Sequence, residues 1–581
     1  MGGTLVVRDF VAPDDDAPVW LDLRDDDGDD GNDPRTCSSA ALFERFAIEF
    51  RSLHAEPGFG YQRLDHPEPG WRRYRVSHRL AVEMVLRKDY RNDWENEVRE
   101  EYCYFTQAEF EDAFARAGMR VLASTPIRNP WIVANRFVGQ MAIWREDGTA
   151  IETTATNFVI AGEKVADGDG VGFVHSTRRE RIGYLALESW RDVRDGRIHD
   201  LVRRPVPTID TLPWFRDTRG ELALLARMSY PRPLLAEAGD ALDGSRPPRY
   251  VTEPMVVVDD GRDPETQAAE RVAALTLEVR DTHLGAPLYP SPGGICEVVR
   301  TSFVEVAPVW VVGEPPGRSG FHTDARVRAI DARQILRAAQ VGALPDARTE
   351  LCAYALFERL SQSPGPWIGA SLEAWSAEGS TSAIEPLLED VRACFEPCTE
   401  PAGFLEVRAL DVTEVDHARR ALARQTLELV TPRPFSARTL SCAVLARIDG
   451  ELCIAIDDDD RPASMAIENS SRLLVAPAFR IPHAHTDLPR ATRWVRERLE
   501  AQYGLQADPV AELGGRYHPA PGLTPEVVHP YAWTTRHAVD SLRWVPLRDA
   551  TRHAQSLPDM HLRLLISRSA QAFGHELDQS G

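Results

Sequence analysis

Lysine is all but missing from this 581-residue chain: it occurs only at Lys88 and Lys164, so nearly all of the 67 basic side chains are arginine. That excludes the phosphate-binding P-loop, whose signature needs a Gly-Lys pair, and it fits the codon bias of a GC-rich bacterial genome. Long apolar runs are missing too, and none approaches the ~18 residues that read as a membrane-spanning helix. The segment after Arg8 is acidic and lacks the layout of a signal peptide. Cysteine is sparse: the eight residues are scattered, and Cys394 and Cys398, the closest pair, have no further Cys or His cluster beside them. A zinc site is therefore not expected, and free thiols in a reducing cytoplasm are. The 16 histidines form no His-x-x-x-His pair beside a glutamate, His483-Ala484-His485 reads as an exposed loop pair, and no Gly-x-Ser-x-Gly elbow occurs. These absences argue against zinc-protease and serine-hydrolase chemistry.

Acid is what the chain has in excess. Its 89 Asp and Glu give a net charge of −22, which makes nucleic acid a poor partner. The length predicts three or four domains. Gly2-Gly3-Thr4-Leu5-Val6-Val7-Arg8-Asp9-Phe10 reads as a turn feeding a buried parallel strand with no partner strand before it. Two more strands of the same style are expected within 118–124 and 157–162. A parallel strand must be covered on both faces and paired on both sides, so residues 1–165 read as the second half of an open α/β sheet. Thr106-Gln107-Ala108-Glu109 is a capping box that predicts a helix over 108–117, which Gly118 ends and a strand over 121–124 follows. A further helix is expected over 77–86, and the polar, aromatic run 87–102 reads as a pocket wall or a lid. Two decoys are set aside. The aspartates from Asp25 to Asp30 lack the Gly and Glu spacing of a calcium loop. Gly168-Asp169-Gly170-Val171-Gly172 has no helical pattern after it to aim amides at a phosphate, and it reads as a linker.

Gly2 to Asp9 resembles the fifth strand of a class I S-adenosylmethionine-dependent methyltransferase. Arg87-Lys88-Asp89-Tyr90, then Tyr104-Phe105-Thr106 through Phe110, then Gly118 to Ile127, resemble the lid, last helix and last strands of such enzymes. The resemblance implies that Arg87, Tyr90, Tyr102 and Phe105 are substrate-side residues. It also implies that the cofactor loop lies upstream, so S-adenosylmethionine is expected only if the missing N-terminal half is supplied, and no residue of this chain is assigned to it.

The remainder holds a weak internal repeat. Strand–turn–strand patterns centred on Gly220 and Gly450 are each followed by an amphipathic helix, over 264–279 and 489–503. Tyr289-Pro290-Ser291-Pro292-Gly293-Gly294 then matches His518-Pro519-Ala520-Pro521-Gly522-Leu523, with Glu-Val-Val at Glu297 and again at Glu526. Apolar helices over 349–360 and 557–573 finish the copies. The order predicts two α/β/α sandwiches with mixed sheets, over 205–360 and 436–581. A linker is expected over 166–204 and a connector over 361–435, with a helix over 416–430.

This order resembles the Nudix fold, and the Pro-x-Pro-Gly turn resembles its ADP-ribose and nucleoside-diphosphate-sugar branch. The family holds Mg²⁺ with glutamates on one helix face, where the ions polarise a pyrophosphate. Here Glu270-Arg271-Val272 and Glu497-Arg498-Leu499 reverse the Arg-Glu order of that helix, and Ala274-Leu275 and Ala501-Gln502 replace its Glu-Glu pair. No metal is therefore expected. Arg271 and Arg498 become candidate anion contacts, and Glu297 and Glu526 possible residual carboxylates.

The expectation is a multidomain α/β pseudoenzyme: a partial Rossmann-like methyltransferase sheet followed by two degenerate Nudix-like domains. Three functions stay open: part of a small-molecule methyltransferase, a non-catalytic nucleotide- or ADP-ribose-like ligand-binding or scaffold protein, and a Nudix hydrolase of a nucleoside diphosphate derivative. The expected partners are a small-molecule or nucleotide-like ligand and a partner chain or oligomer completing the N-terminal half-sheet, with neither nucleic acid nor membrane.

Overall fold

The computed structural model describes residues 3–25, 33–53, 55–151, 154–229, 239, 241–248, 251–310 and 326–574, and the chain divides into two compact units, Met1–Ala166 and Asp167–Gly581. Most of the acidic run Asp25 to Asp30 lies outside the described residues. Among those residues no helix is long and apolar enough to cross a membrane.

The first unit runs β1 (Thr4–Asp9), β2 (Pro18–Arg24), α1 (Ser39–Glu49), β3 (Gln62–Leu64), β4 (Trp71–Ser77), α2 (His78–Arg87), α3 (Trp94–Glu97), α4 (Gln107–Arg116), β5 (Met119–Ile127), α5 (Pro130–Ile132), β6 (Met141–Arg145), β7 (Ala150–Ile151) and β8 (Asn157–Lys164). One sheet has the order β1-β8-β5 with both pairings antiparallel. Three parallel strands were expected. Instead β1 and β5 share a direction and β8 runs against both, because the chain leaves β5 through a second sheet and no helical crossover separates β7 from β8. The second sheet, β3-β4-β2-β6-β7, is wholly antiparallel and was not anticipated. Its inner face carries Val19, Leu21, Leu23, Tyr74 and Val76 against Phe43 and Phe46 of α1 and Val82 and Val85 of α2. Each fully buried Leu or Phe there contributes about 1.5–3 kcal/mol. The capping box at Thr106 and Glu109 forms as predicted, each side chain taking the other's backbone N–H.

The second unit opens with β9 (Gly172–Arg178), β10 (Ala186–Asp192) and β11 (Ile198–Arg203). The first copy follows: β12 (Thr208–Arg216), β13 (Leu222–Ser229), β14 (Val251–Glu253), β15 (Met255–Val258), α6 (Pro264–Ala273), β16 (Val279–Leu284), β17 (Arg300–Val306), β18 (Arg326–Asp331), α7 (Ala332–Gln340) and α8 (Ala347–Arg359). Then come α9 (Glu385–Glu389), β19 (Phe395–Cys398), β20 (Leu405–Val415) and β21 (Ala421–Pro432). The second copy is β22 (Arg438–Ile448), β23 (Glu451–Asp460), α10 (Pro462–Glu468), β24 (Arg472–Val475), β25 (Ala478–Arg480), α11 (Leu488–Tyr503), β26 (Ala507–Glu512), β27 (Val527–Thr535), β28 (Arg543–Pro546), α12 (Leu547–Arg552) and α13 (Met560–Ala572).

The repeat is a repeat of topology. Each copy folds a seven-stranded mixed sheet, β14-β13-β12-β17-β16 and β24-β23-β22-β27-β26, with two further strands paired at equivalent places. Each has one parallel pair, β12 with β17 and β22 with β27. Helices cover both faces. In the second copy Val495 and Leu499 of α11 pack on one face, and Leu562, Leu565 and Ile566 of α13 on the other. In the first, Ala268 and Val272 of α6 oppose Ile335 of α7 and Leu356 of α8 across the sheet.

The spans on either side of the first copy differ from expectation. The 166–204 span carries three strands, and 416–430 is not helical. β20 and β21 form a long hairpin, and β9 joins it on the far side of β20. Leu422, Leu427 and Val430 fit no continuous helical stripe, whereas Thr426 and Glu428 alternate with Leu427 and Leu429 as a strand requires. Buried carboxylates pin these distant segments together. Glu428 accepts from the N–H groups of Ile182, Gly183 and Leu185 at 2.9, 3.0 and 2.7 Å, and Asp200 from those of Ala402, Phe404 and Leu405 at 3.1, 2.7 and 2.9 Å.

The copies lock to each other by exchanging their Pro-x-Pro-Gly turns. Tyr289 N–H donates to the Pro558 carbonyl (2.7 Å), and Met560 N–H donates back to Tyr289 (3.1 Å), at the start of α13. His518 N–H donates to the Pro345 carbonyl (2.7 Å) at the start of α8. Leu288, Val299, Ala347 and Leu351 of the first copy meet Tyr517, Val528, Met560 and Leu564 of the second in one apolar cluster. The same patch serves both partners, as in an isologous dimer interface.

Candidate functional site

In the first unit, Arg87 closes α2 and is fully buried. Its Nε donates to the Glu83 carbonyl (3.0 Å) and its Nη atoms to the Glu83 carboxylate and the Glu97 and Glu100 carbonyls, while Phe46, Phe50 and Tyr102 rings surround it. Tyr102 is buried beside it, stacked on Phe10, with its hydroxyl donating to Glu97. Both therefore act here as core residues. Phe105 packs edge-on against Tyr104 and Phe110. Of the four substrate-side candidates only Tyr90 is largely exposed, and its ring faces the Arg136 guanidinium at 6.0 Å.

In the second unit, Glu297 and Glu526 are each ion-paired with an arginine. Glu297 is ion-paired with Arg204, which also donates to the Thr208 hydroxyl at 3.2 Å. Glu526 is buried, ion-paired with Arg480 at 2.9 Å, and accepts from the hydroxyls of Thr439 (2.7 Å) and Ser291 (3.0 Å). Ser291 comes from the other copy's turn, so that environment is assembled from both copies, beside a narrow cleft lined by Ser291, Gly294, Leu405 and Arg480. Burial pushes the Glu526 carboxyl up, but Arg480, His561 and the two hydroxyls together hold it below its usual value.

On the helix preceding the first turn, the glutamates are already engaged. Glu265 accepts the Leu284 N–H at 2.7 Å, and Glu270 is clamped by Arg262 at 3.1 and 3.0 Å. Arg271, on α6, is half-buried and already engaged within the protein. Arg498, on α11, is exposed and lies over the Trp494 ring at 6.0 Å. Among the described residues no group of three or more His, Cys, Asp and Glu could hold a metal ion. His483 lies in an exposed turn, and all eight cysteines are free thiols. Gly168 sits in a turn, and strand β9 follows it rather than a helix.

Sequence reasoning missed the arginines that neutralise Glu297 and Glu526, because nothing local links them; even Ser291 is 235 positions from the glutamate it meets. It also missed two titrating groups, one buried and one half-buried. His518, on the exchanged turn, donates from Nδ1 to the Glu526 carbonyl at 2.7 Å, and burial lowers its pKa to about 4. Asp457 accepts the Tyr503 hydroxyl at 2.6 Å, and burial raises it to about 6. A raised acid binds its proton more tightly folded than unfolded. Its contribution is therefore largest at low pH and declines from about pH 4 to about pH 6. Asp457→Asn is expected to remove that decline and to add about 2 kcal/mol at pH 7.5, after discounting for partial exposure. Urea unfolding at several pH values reads this directly, and equal stabilities at pH 7.5 would show that Asp457 carries no burial penalty.

No family model matches the chain, and no curated protein is similar to it.

Proposed function

We propose that the two copies form a non-hydrolytic, Nudix-like double module of a cytoplasmic protein, which binds a nucleotide- or ADP-ribose-like ligand or serves as a scaffold. The observation that carries this reading is the matched neutralisation of Glu297 by Arg204 and of Glu526 by Arg480. Metal-assisted cleavage of a pyrophosphate needs carboxylates free to gather cations. A guanidinium already paired with the carboxylate repels a second cation from the same place. Arg271 and Arg498 are the proposed anion contacts. Full-length protein with ADP-ribose and Mg²⁺ is expected to release no AMP, while calorimetry shows ADP-ribose binding that weakens in Arg498→Gln. Magnesium-dependent AMP release would instead establish a Nudix hydrolase.

A second reading, for the first unit, is a share in methyl transfer from S-adenosylmethionine to a small molecule. It is favoured by β1 and β5 running together with β8 reversed between them, since doubly wound sheets commonly carry such an antiparallel strand near one edge. The outer edge of β1 has no partner among the described residues, and Leu5 and Val6 on it are exposed. A strand added there, from a partner chain or oligomer, would extend the sheet toward a cofactor site. No residue of this chain is assigned to the cofactor, and transfer itself would rest on positioning.

A further inference from the structure

Arg136 lies close to two aromatic rings at once. Among the described residues its guanidinium makes no hydrogen bond and no ion pair, and it faces Trp131 at 5.8 Å and Tyr90 at 6.0 Å. Both rings are exposed, by 60% and 45%, so the cluster faces solvent.

The backbone there is unusual as well. Residues Val133–Phe137 form a π-helical turn between β5 and β6, in the segment that joins the two sheets. Such wide turns are rare and recur at functional sites. This one sets Phe137 in the core and leaves its neighbour Arg136 half-exposed over the rings. The surroundings are positive: burial lowers the Lys88 ammonium, and the Arg91 and Arg136 charges lower it further against the pull of Asp89. Lys88 is held by Asp89 at 2.9 Å, which leaves Arg136 as the charge with donors to spare.

A guanidinium presents a planar fork that matches a carboxylate or phosphate in two parallel hydrogen bonds. Aromatic faces at its flanks steady it and offer a surface on which a ligand ring can stack. We propose that Arg136, Trp131 and Tyr90 form a binding site for a small aromatic molecule bearing a carboxylate or a phosphate. The oxyanion meets Arg136, and the ring lies against Trp131. This site does not depend on methyl transfer or on the second unit.

Calorimetric titration of the full chain with phenyl phosphate and with benzoate tests it, with inorganic phosphate and benzyl alcohol as the two half-ligands. Saturable one-site binding is expected for at least one of the two probes, with each half-ligand at least ~10-fold weaker. Arg136→Gln is expected to weaken the probe by ~10-fold or more, Trp131→Ala by about 3-fold, and Arg136→Lys less than Arg136→Gln. All three positions are on the surface, so melting temperatures should be unchanged. No saturable binding of either probe, or equal affinity in Arg136→Gln, overturns the proposal. Equal affinity for inorganic phosphate overturns the assignment of the ring to Trp131.

Discussion

Replacing Arg568 by leucine is expected to cost the second unit about 3–5 kcal/mol. The residue lies on α13 and is fully buried, as is its partner Glu350 on α8 of the other copy. Arg568 Nε and Nη2 grip the two carboxylate oxygens at 2.8 and 2.7 Å, and Nη1 donates to the carbonyls of Leu513 and Gly515, both at 2.8 Å. Removing the guanidinium leaves a charged carboxylate and two carbonyls in a medium that cannot solvate them. Removing both charges is milder, because the carboxylate no longer has to be hidden. Glu350→Leu with Arg568→Leu is therefore expected to recover more than half of the loss. Urea midpoints, together with hydrogen exchange in α8 and α13, measure both. If the double variant were as unstable as the single, the cost would lie in packing and not in the stranded charge.

Gly515→Ala is the second large effect. A Cβ at this position would stand 2.2 Å from the Gly342 nitrogen, 2.3 Å from its Cα and 2.7 Å from the Ala339 carbonyl oxygen. All three are backbone atoms of the other copy, so no rotamer can relieve the clash. Relief means separating the copies and breaking the 3.2 Å bond from Gly515 N–H to Ala339. The expected loss is about 3 kcal/mol, at the upper end for overpacking. Gly293→Ala is the control, since its nearest new neighbour is the end of the Arg461 side chain at 3.8 Å. Similar urea midpoints for the two variants would mean that the copies yield more easily than this contact implies.

The sequence carried the repeat because its markers are local. The hairpin glycines Gly220 and Gly450 and the paired Pro-Gly turns each act within a few residues. It did not carry what depends on distant partners. The 416–430 span reads as a helix although most of it is β21, because the sheet that β21 joins through β20 is completed by β9, more than 200 positions away. The five-stranded sheet is absent from the sequence reading although Val19, Leu21 and Leu23 alternate plainly with Trp20 and Asp22 just ahead of the acidic run. Arg87 misled for a physical reason. An arginine four residues after Glu83 is usually an exposed helix pair, and only the rings of Phe46, Phe50 and Tyr102 make it a core residue. The candidate glutamates were found from the turn alone, but their neutralising arginines were not, and those decide the chemistry.

The exchanged turns have a consequence for how the two halves can diverge. In a dimer of identical chains every substitution at a two-fold interface appears twice and must suit both sides. Here the partners share one chain, so each side mutates alone, and dilution cannot part them because a tether fixes their effective concentration. The helix starts show the result. Asp346 and Asp559 cap α8 and α13 alike. Two residues on, Arg348 bonds Asp210 and Glu253 in the first half, while His561 meets the Tyr517 hydroxyl in the second. A symmetric assembly would have had to hold one of these solutions on both sides; the joined pair holds both.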